Sequence, residues 1–176
     1  AKMPITDWDK YKEELLLRSG NDNKIVRMLH NRAKLNPKKI VFAEADHLDV
    51  LKAAQIVYDE GIAIPILLGH KETIVELKKE IGFDATIQII DPKSNETREK
   101  RDQYATKYWD SRKRSGVTFY GAQSKMKERN YFGAMMVVEG DVDGMISGYT
   151  RAYPTVVKPI FELIGKFRRP VISFLI

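Results

Sequence analysis

The sequence predicts an α/β fold, a three-layer αβα sandwich with a mostly parallel sheet. From Lys39 onward, short apolar segments alternate with segments of helical periodicity, which is the pattern of parallel βαβ units. Predicted helices end at Gly61, Gly82 and Gly140, where glycine can adopt the left-handed conformation that closes a helix. A hydrophobic content of 43% over 176 residues is enough for a proper core.

Residues 1–37 are predicted to be a helical linker that precedes the first strand. Asp7 is a plausible N-cap for a helix with Trp8 on its apolar face. A second helix over Lys24–Leu35 ends before Pro37, which disfavours helix in the residue preceding it. Residues 38–176 are then expected to form the first part of an α/β domain, truncated at its C-terminal end, because the final apolar residues stop in mid-pattern.

Five strands are expected, near Val41, Ile66, Ile89, Met145 and Ile172. The second of them contains Pro65, which has no ladder donor, so this strand is expected at an edge or with a bulge. The predicted helices between the strands run from an Asp46 N-cap to Gly61, over Lys71–Ile81, over Asn95–Ser115 and from about Tyr120 to Glu139.

Composition and motif spacing exclude several functions. The net charge of +6 is spread along the chain without aromatic interleaving, so no nucleic-acid partner is expected. There is no cysteine, no Gly-x-Gly fingerprint and no apolar run of membrane-spanning length, and a cytoplasmic protein with no membrane partner is expected. The three histidines are far apart in sequence, so no metal site is predicted.

An acidic cluster surrounds His47, with Glu44, Asp46 and Asp49 close by in sequence. Such a cluster indicates either a site for a hard metal or acid/base chemistry, or residues that cap the following helix. Helix capping is the favoured interpretation, because strand-to-helix loops are commonly rich in Asp for that reason.

The segment Ser147–Arg151 is the candidate ligand loop. It leaves the carboxyl end of a predicted strand and enters a helix with Pro154 in its first turn, and ligands of open α/β sheets bind at such places. Amides at a helix start favour an anion, to which Thr150 adds a hydroxyl and Arg151 a fixed positive charge. The alternative is an ordinary strand-to-helix turn.

Three segments in matching order and spacing resemble the phosphate acetyl/butyryltransferase family: Arg112–Thr118, Tyr131–Val137 and Asp143–Gly148. The resemblance implies the first domain of a phosphotransacetylase-like, isocitrate/isopropylmalate dehydrogenase-like fold. It also implies a cleft for coenzyme A and an acyl phosphate. The acyl-CoA or phosphate ligand set that follows is Arg112, Ser147, Gly148, Thr150, Arg151 and Lys158. No catalytic residue is expected within the chain, because the family's further catalytic residues lie in a later half.

The sequence departs from the family pattern where phosphotransacetylases carry His-Thr-Thr and Arg-Pro. The matching positions read Arg151-Ala152-Tyr153 and Lys158-Pro159, and lysine lacks the bidentate fork of arginine. Such altered motifs resemble the C-terminal transferase-like region of NADP-dependent malic enzymes.

That resemblance implies an acyl-CoA-responsive regulatory and oligomerisation domain, in a parent that decarboxylates malate to pyruvate. Acetyl-CoA or coenzyme A is then the expected ligand, with no cofactor in this chain. NADP and a divalent metal belong to the parent's malic domain, and a homo-oligomer is expected. The alternative is a genuine phosphate acetyltransferase, and an interaction domain with an inactive cleft is a third possibility.

Overall fold

The computed structural model describes Trp8 and residues 24–164. The helices in this part are α1 (Lys24–Leu35), α2 (Leu48–Asp59), α3 (Lys71–Glu80), α4 (Arg98–Arg112), α5 (Phe119–Lys125), α6 (Arg129–Val138) and α7 (Tyr153–Leu163). The strands are β1 (Lys38–Phe42), β2 (Ala63–Leu68), β3 (Ile89–Ile90) and β4 (Gly144–Ile146), and a 3₁₀ turn at Lys113–Ser115 follows α4.

The four strands form one parallel sheet in the order β3-β2-β1-β4. Val41 in β1 pairs with Ile66 in β2 on one side and with Met145 in β4 on the other. Each connection between paired strands passes through helix, as parallel pairing requires. The predicted α/β fold with a parallel sheet is therefore confirmed, while the strand expected near Ile172 lies outside the described residues.

Alternate residues of the strands point into two apolar layers, one on each face of the sheet. Val41 and Ile66 face the side where Tyr104 of α4 and Phe132 of α6 are buried. The adjacent strand residues Phe42 and Leu67 face the other side of the sheet. There they belong to one apolar cluster with Leu51 of α2 and Ile74 of α3. Because side chains of a strand alternate between its faces, continuous apolar strands can fill both layers at once.

Strand β2 lies in the interior of the sheet and pairs with β1 in unbroken register, so the prediction from Pro65 of an edge strand or a bulge was wrong. The Leu67 amide donates to the Gln88 carbonyl, which shows that odd-numbered residues of β2 face β3. Pro65 faces the same side, but β3 pairs only from Leu67 onward. The missing donor therefore lies where no ladder has begun, and an interior strand tolerates it.

The helix expected over Tyr120–Glu139 is two helices, α5 and α6. The amides of Lys127 and Glu128 bond to carbonyls three residues back, and Glu128 itself is extended at φ −85° and ψ 130°. This break leaves Met126 fully buried and starts α6 at Arg129. Apolar periodicity continues through the break, so the pattern alone does not reveal it.

Three other boundaries differ from the sequence predictions. The strand expected over Thr86–Ile90 reduces to Ile89–Ile90, and the long charged helix begins at Arg98 and ends in the 3₁₀ turn. Of the predicted first helix, only Trp8 belongs to the described residues. Among the helices that the structure describes, none has the length and apolar character needed to cross a membrane.

We expect Leu67→Ala to lower the free energy of unfolding by about 2–5 kcal/mol, because a fully buried leucine leaves both transfer energy and a cavity behind. Leu35→Ala is the matched control: Leu35 is 86% exposed, so its loss should change stability by no more than about 0.5 kcal/mol. Urea denaturation of both variants measures this, and similar destabilisation by the two would contradict the assigned core.

Candidate ligand site

The loop between β4 and α7 is built around a buried carboxylate from another strand. Glu44 follows β1 and is 1% exposed. Its Oε1 accepts from the Gly148 amide at 2.6 Å and lies 3.0 Å from the Ser147 hydroxyl, while its Oε2 accepts from the amide and hydroxyl of Thr150. Since β1 and β4 are neighbours, the residues that follow them meet at the carboxyl edge of the sheet.

The conformation of the loop makes this binding possible. Gly148 has φ +116°, a region that residues with a Cβ rarely adopt, and its amide thereby points at Glu44. The expectation was an anion at the amides of the helix start, but the loop amides of Gly148 and Thr150, which precede the helix, already bind the chain's own carboxylate. Ser147, Gly148 and Thr150 therefore surround Glu44, a residue that the predicted ligand set did not contain.

Opposing effects act on the pKa of Glu44. Burial alone would raise it, because a charge is poorly solvated in the interior. The hydrogen bonds from the Thr150 side chain, from the Gly148 and Thr150 amides and from Ser147 together outweigh burial and lower the pKa below its usual value. Glu44 is therefore charged at neutral pH and holds its donors as an anion.

The other members of the acidic cluster also have protein partners. Asp46 forms a bidentate pair with Arg129 at the start of α6, with both N–O distances 2.6 Å. The Tyr149 hydroxyl donates to Asp49 at 2.7 Å, and the Tyr149 ring lies 4.8 Å from that of His47. Neither a metal or acid/base site nor helix capping accounts for these contacts. The carboxylates chiefly connect the β1–α2 segment to α6 and to the ligand loop.

The N-cap of α2 is His47, so the prediction that Asp46 caps this helix was wrong. The His47 ring accepts from the Asp49 amide at 3.3 Å, and its backbone is extended as an N-cap requires. Asp46 stands one residue earlier and turns instead to Arg129, which offers two charge-assisted hydrogen bonds.

Asn130 joins the loop to the start of α7. It is buried, its Oδ1 lies 2.8 Å from the Ser147 hydroxyl oxygen, and its amide donates to the Thr155 carbonyl at 3.3 Å. The Ser147 hydroxyl has one proton for its two neighbours, Glu44 and Asn130. The loop is thus fixed from β1 on one side and from α6 on the other.

Arg112 does not lie with the loop. Its guanidinium donates from Nε and Nη2 to the Glu162 carbonyl, at 3.0 and 2.5 Å, at the C-terminal end of α7. With 11 residues, α7 is about 16 Å long, and the loop precedes its other end. The positive charge of Arg112 complements the carbonyls that a helix leaves unpaired at its C-terminus.

A polar cluster around the Glu162 side chain fixes the same end of α7. Glu162 Oε2 accepts from the hydroxyls of Tyr108 and Tyr131, both at 2.8 Å, and from the Lys125 ammonium at 2.9 Å. Burial would raise the pKa of Glu162, but the bonds from Lys125, Tyr108 and Tyr131 outweigh it and lower the pKa to about 2. This carboxylate joins α4, α5 and α6 to α7.

Arg151 and Lys158 complete the predicted ligand set. Both side chains are exposed, and neither forms a hydrogen bond or ion pair within the part of the chain that the structure describes. Arg151 ends the loop and Lys158 lies in α7. They are the two predicted cations that face solvent without a competing protein partner.

One set of described side chains could hold a metal ion. Ligand atoms of His70, Glu72 and Asp91 all lie within 4.8 Å of one another, after the ends of β2 and β3. His70 also lies 3.2 Å from the Thr73 hydroxyl. His70 and Glu72 are near neighbours in sequence, whereas Asp91 follows a different strand and joins them only through the pairing of β2 with β3.

Comparison with known proteins identifies the family of the chain. The sequence model described as phosphate acetyl/butaryl transferase matches residues 24–175, and the chain belongs to that family. The sequence is 39% identical over 140 residues to the phosphate acetyltransferase of Thermoanaerobacterium thermosaccharolyticum, which covers 80% of this chain and 42% of the relative. The resemblance inferred from the three sequence segments is therefore confirmed.

Malic enzymes are relatives as well. The NADP-dependent malic enzyme of Rhizobium meliloti is 32% identical over 169 residues, covering 93% of this chain and 22% of the relative. Among solved structures, EutD phosphotransacetylase from Staphylococcus aureus superimposes with a TM-score of 0.68 and 28% identity, over 84% of this chain and 43% of that one. The chain spans less than half the length of these relatives.

The sequence reasoning missed Glu44, Arg129 and Asn130 as organisers of the site. Glu44 did carry a signal, because an acidic residue directly after a buried strand must find donors at the carboxyl edge. Arg129 and Asn130 begin a helix whose start was not predicted, so nothing in the local pattern separated them from the helix interior.

Glu44→Gln should lower the free energy of unfolding by about 1–3 kcal/mol at neutral pH, because the neutral amide leaves buried donors poorly paired. The folded-state pKa of Glu44 is lowered, so its stabilisation is present above the unfolded pKa of about 4.3 and is lost as pH falls through the folded value. The stability gap between wild type and variant should therefore narrow in acid.

Denaturant unfolding at about pH 7 and about pH 3 measures that gap. Glu76→Gln is the control, since Glu76 is an exposed carboxylate of α3. A gap that stays constant with pH, or one that the control reproduces, would contradict the role of Glu44.

Proposed function

We propose that the protein containing this chain transfers an acyl group between coenzyme A and phosphate, and that this chain forms one wall of the cleft. Family membership and 39% identity to a phosphate acetyltransferase support this. A second phosphate acetyltransferase, from Nitratidesulfovibrio vulgaris, is 35% identical over 137 residues. An acyltransferase is therefore favoured over the regulatory interpretation, which is the second candidate.

The observation that carries the proposal is the fixed loop at the carboxyl edge of the sheet. Glu44 and Asn130 hold Ser147–Thr150 in place, and Arg151 and Lys158, whose side chains have no partner among the described residues, follow on the solvent side. Ligands of parallel α/β sheets bind at this edge. A rigid loop costs little ordering on binding, which favours a site for a small anion.

Acyl transfer between coenzyme A and phosphate requires stabilisation of the negative charge on the phosphate more than it requires a nucleophile from the protein. The coenzyme A thiol loses its proton to a base, and the thiolate attacks the carbonyl carbon of the acyl phosphate. A carbon–sulfur bond forms, and the carbon–oxygen bond to phosphate breaks with its electrons on the leaving phosphate. Cations that hold the phosphate oxygens stabilise that charge. We assign this task to Arg151 and Lys158, with Ser147, Gly148 and Thr150 as the backbone support that positions them.

Arg112 can contact a ligand at the loop only if its side chain changes conformation. Both of its bonds go to the Glu162 carbonyl, so contact with a ligand at the loop requires that they be exchanged. Its role in the proposal is to stabilise the far end of α7, the helix that carries Lys158.

In the whole protein, Arg151→Ala and Lys158→Ala should each raise the KM for phosphate about tenfold to a hundredfold, because each removes one charged contact. Acetyl-phosphate formation from acetyl-CoA and phosphate is the assay. Lys79→Ala removes an exposed lysine from the end of α3 and should leave the KM unchanged. An unchanged KM in both loop variants, or activity lost equally in the control, would refute the assignment.

The second candidate is regulation of malate oxidation by an acyl-CoA bound to this domain. It is favoured by coverage: the malic enzymes of Rhizobium meliloti and Salmonella typhimurium match 93% and 92% of the chain, against 80% for the first acetyltransferase. In this case another part of the protein would use NADP and a divalent metal, and the domain would sense acetyl-CoA within a homo-oligomer.

Malate-dependent NADP reduction by the whole protein, with and without acetyl-CoA, separates the two candidates. Regulation predicts that acetyl-CoA changes the rate in wild type and in Lys79→Ala, and that Arg151→Ala and Lys158→Ala need at least about tenfold more of it. If the whole protein does not oxidise malate, the regulatory function is excluded. If it oxidises malate but forms no acetyl phosphate, the acyltransferase function is excluded.

A further inference from the structure

A cleft between α4 and α5 collects positive charge away from the ligand loop. Its volume is about 180 Å³, and Arg98, Arg101 and Lys127 line it together with Asp102, Tyr120 and Gln123. Arg98 follows β3, the strand at the opposite end of the sheet from β4. Three strand spacings, about 14 Å, therefore separate β3 from β4.

Arg101 is the fixed element of this cleft. It is nine-tenths buried, and its Nη1 donates to the carbonyls of Pro92 and Ser94, at 2.7 and 3.2 Å. Its Nε and Nη2 form no hydrogen bond within the described residues, neither is among the fully buried unpaired atoms, and Arg101 lines the cleft. A buried arginine held from behind keeps donors ready for an anion.

The remaining charges leave the cleft strongly positive. The side chains of Arg98 and Lys127 are exposed and form no hydrogen bond or ion pair with any residue that the structure describes. The one carboxylate of the lining, Asp102, accepts from the Gln123 amide at 3.2 Å and is paired with none of the three cations within the described residues. Three cations against one anion give the cleft a net positive charge, which favours an anionic ligand.

We propose that this cleft binds the phosphoryl group of a small phosphate-bearing molecule. A phosphoryl dianion offers oxygens to all three cations at once, which a monoanionic carboxylate does not do equally well. The volume is below that of ordinary cofactor pockets, about 300–1,000 Å³, so a phosphate or pyrophosphate fits and a whole coenzyme does not. The site does not depend on acyl transfer at the ligand loop.

Tyr120 distinguishes two sources of that phosphoryl group. Its side chain is 81% exposed at the cleft and makes no ring contact within the described part of the chain. A free aromatic ring beside a phosphate site can stack on a nucleobase. The ligand is therefore either inorganic phosphate or pyrophosphate, or the phosphate end of a nucleotide whose base lies outside on Tyr120.

Isothermal titration of the full chain with inorganic phosphate, pyrophosphate and AMP tests the proposal. Arg98→Ala and Lys127→Ala should each weaken binding of the best probe about tenfold or more. Asp102→Asn should tighten binding, because it removes the opposing charge while its amide oxygen still accepts from Gln123. This gain is not expected if Asp102 is merely structural. Lys79→Ala, which removes a distant exposed lysine, should leave affinity unchanged.

Tyr120→Ala identifies the source: weaker AMP binding with unchanged phosphate binding indicates a nucleotide, and no change in either indicates the inorganic ion. Thermal melts confirm that each variant is folded. Saturable binding by none of the three probes would overturn the proposal. Equal weakening by Lys79→Ala, or unaltered binding in both Arg98→Ala and Lys127→Ala, would overturn it as well.

Discussion

The carboxylate of Glu44 is the interaction on which the arrangement of this molecule depends. A charge buried to this degree is tolerated only with a full set of donors, and the donors all come from the loop after β4. The requirement works in both directions, because the loop amides also need an acceptor. A single residue, Glu44, therefore determines the conformation of a loop that lies more than 100 residues later in the chain.

Helix α7 is held at both ends by polar contacts with different partners. Asn130 and the loop position its start, whereas Arg112 and the hydroxyls around Glu162 hold its final turn. Between these ends Val156 and Val157 are buried, and Lys158 is exposed. Polar contacts fix orientation while apolar burial supplies much of the attraction, so the solvent-facing side of α7 is presented in a defined direction.

The sequence predicted the parallel sheet and the strand positions because the apolar segments are continuous and their spacing matches βαβ units. It did not predict the interior position of β2, since the effect of Pro65 depends on where its neighbour β3 begins to pair. Nor did it predict the helix break before Arg129, because apolar periodicity runs through it.

Within the candidate site, Ser147, Gly148 and Thr150 were recognised from local pattern. Glu44 was not assigned to them, because its partners are distant in the chain. Asp46 was given the wrong partner for the same reason, since Arg129 lies 83 residues away. Local patterns thus identify the loop, whereas only the fold reveals what holds it.

The direction in which Pro65 faces also bears on association between copies of the chain. Among the described residues, the two-residue β3 leaves the first half of the neighbouring β2 edge without a ladder, and such an edge is a template on which another chain can add a strand. Proline presents no N–H there, so the row of donors is interrupted midway between Ala63 and Leu67. Pro65 thereby makes this part of the β2 edge a poorer template for an added strand.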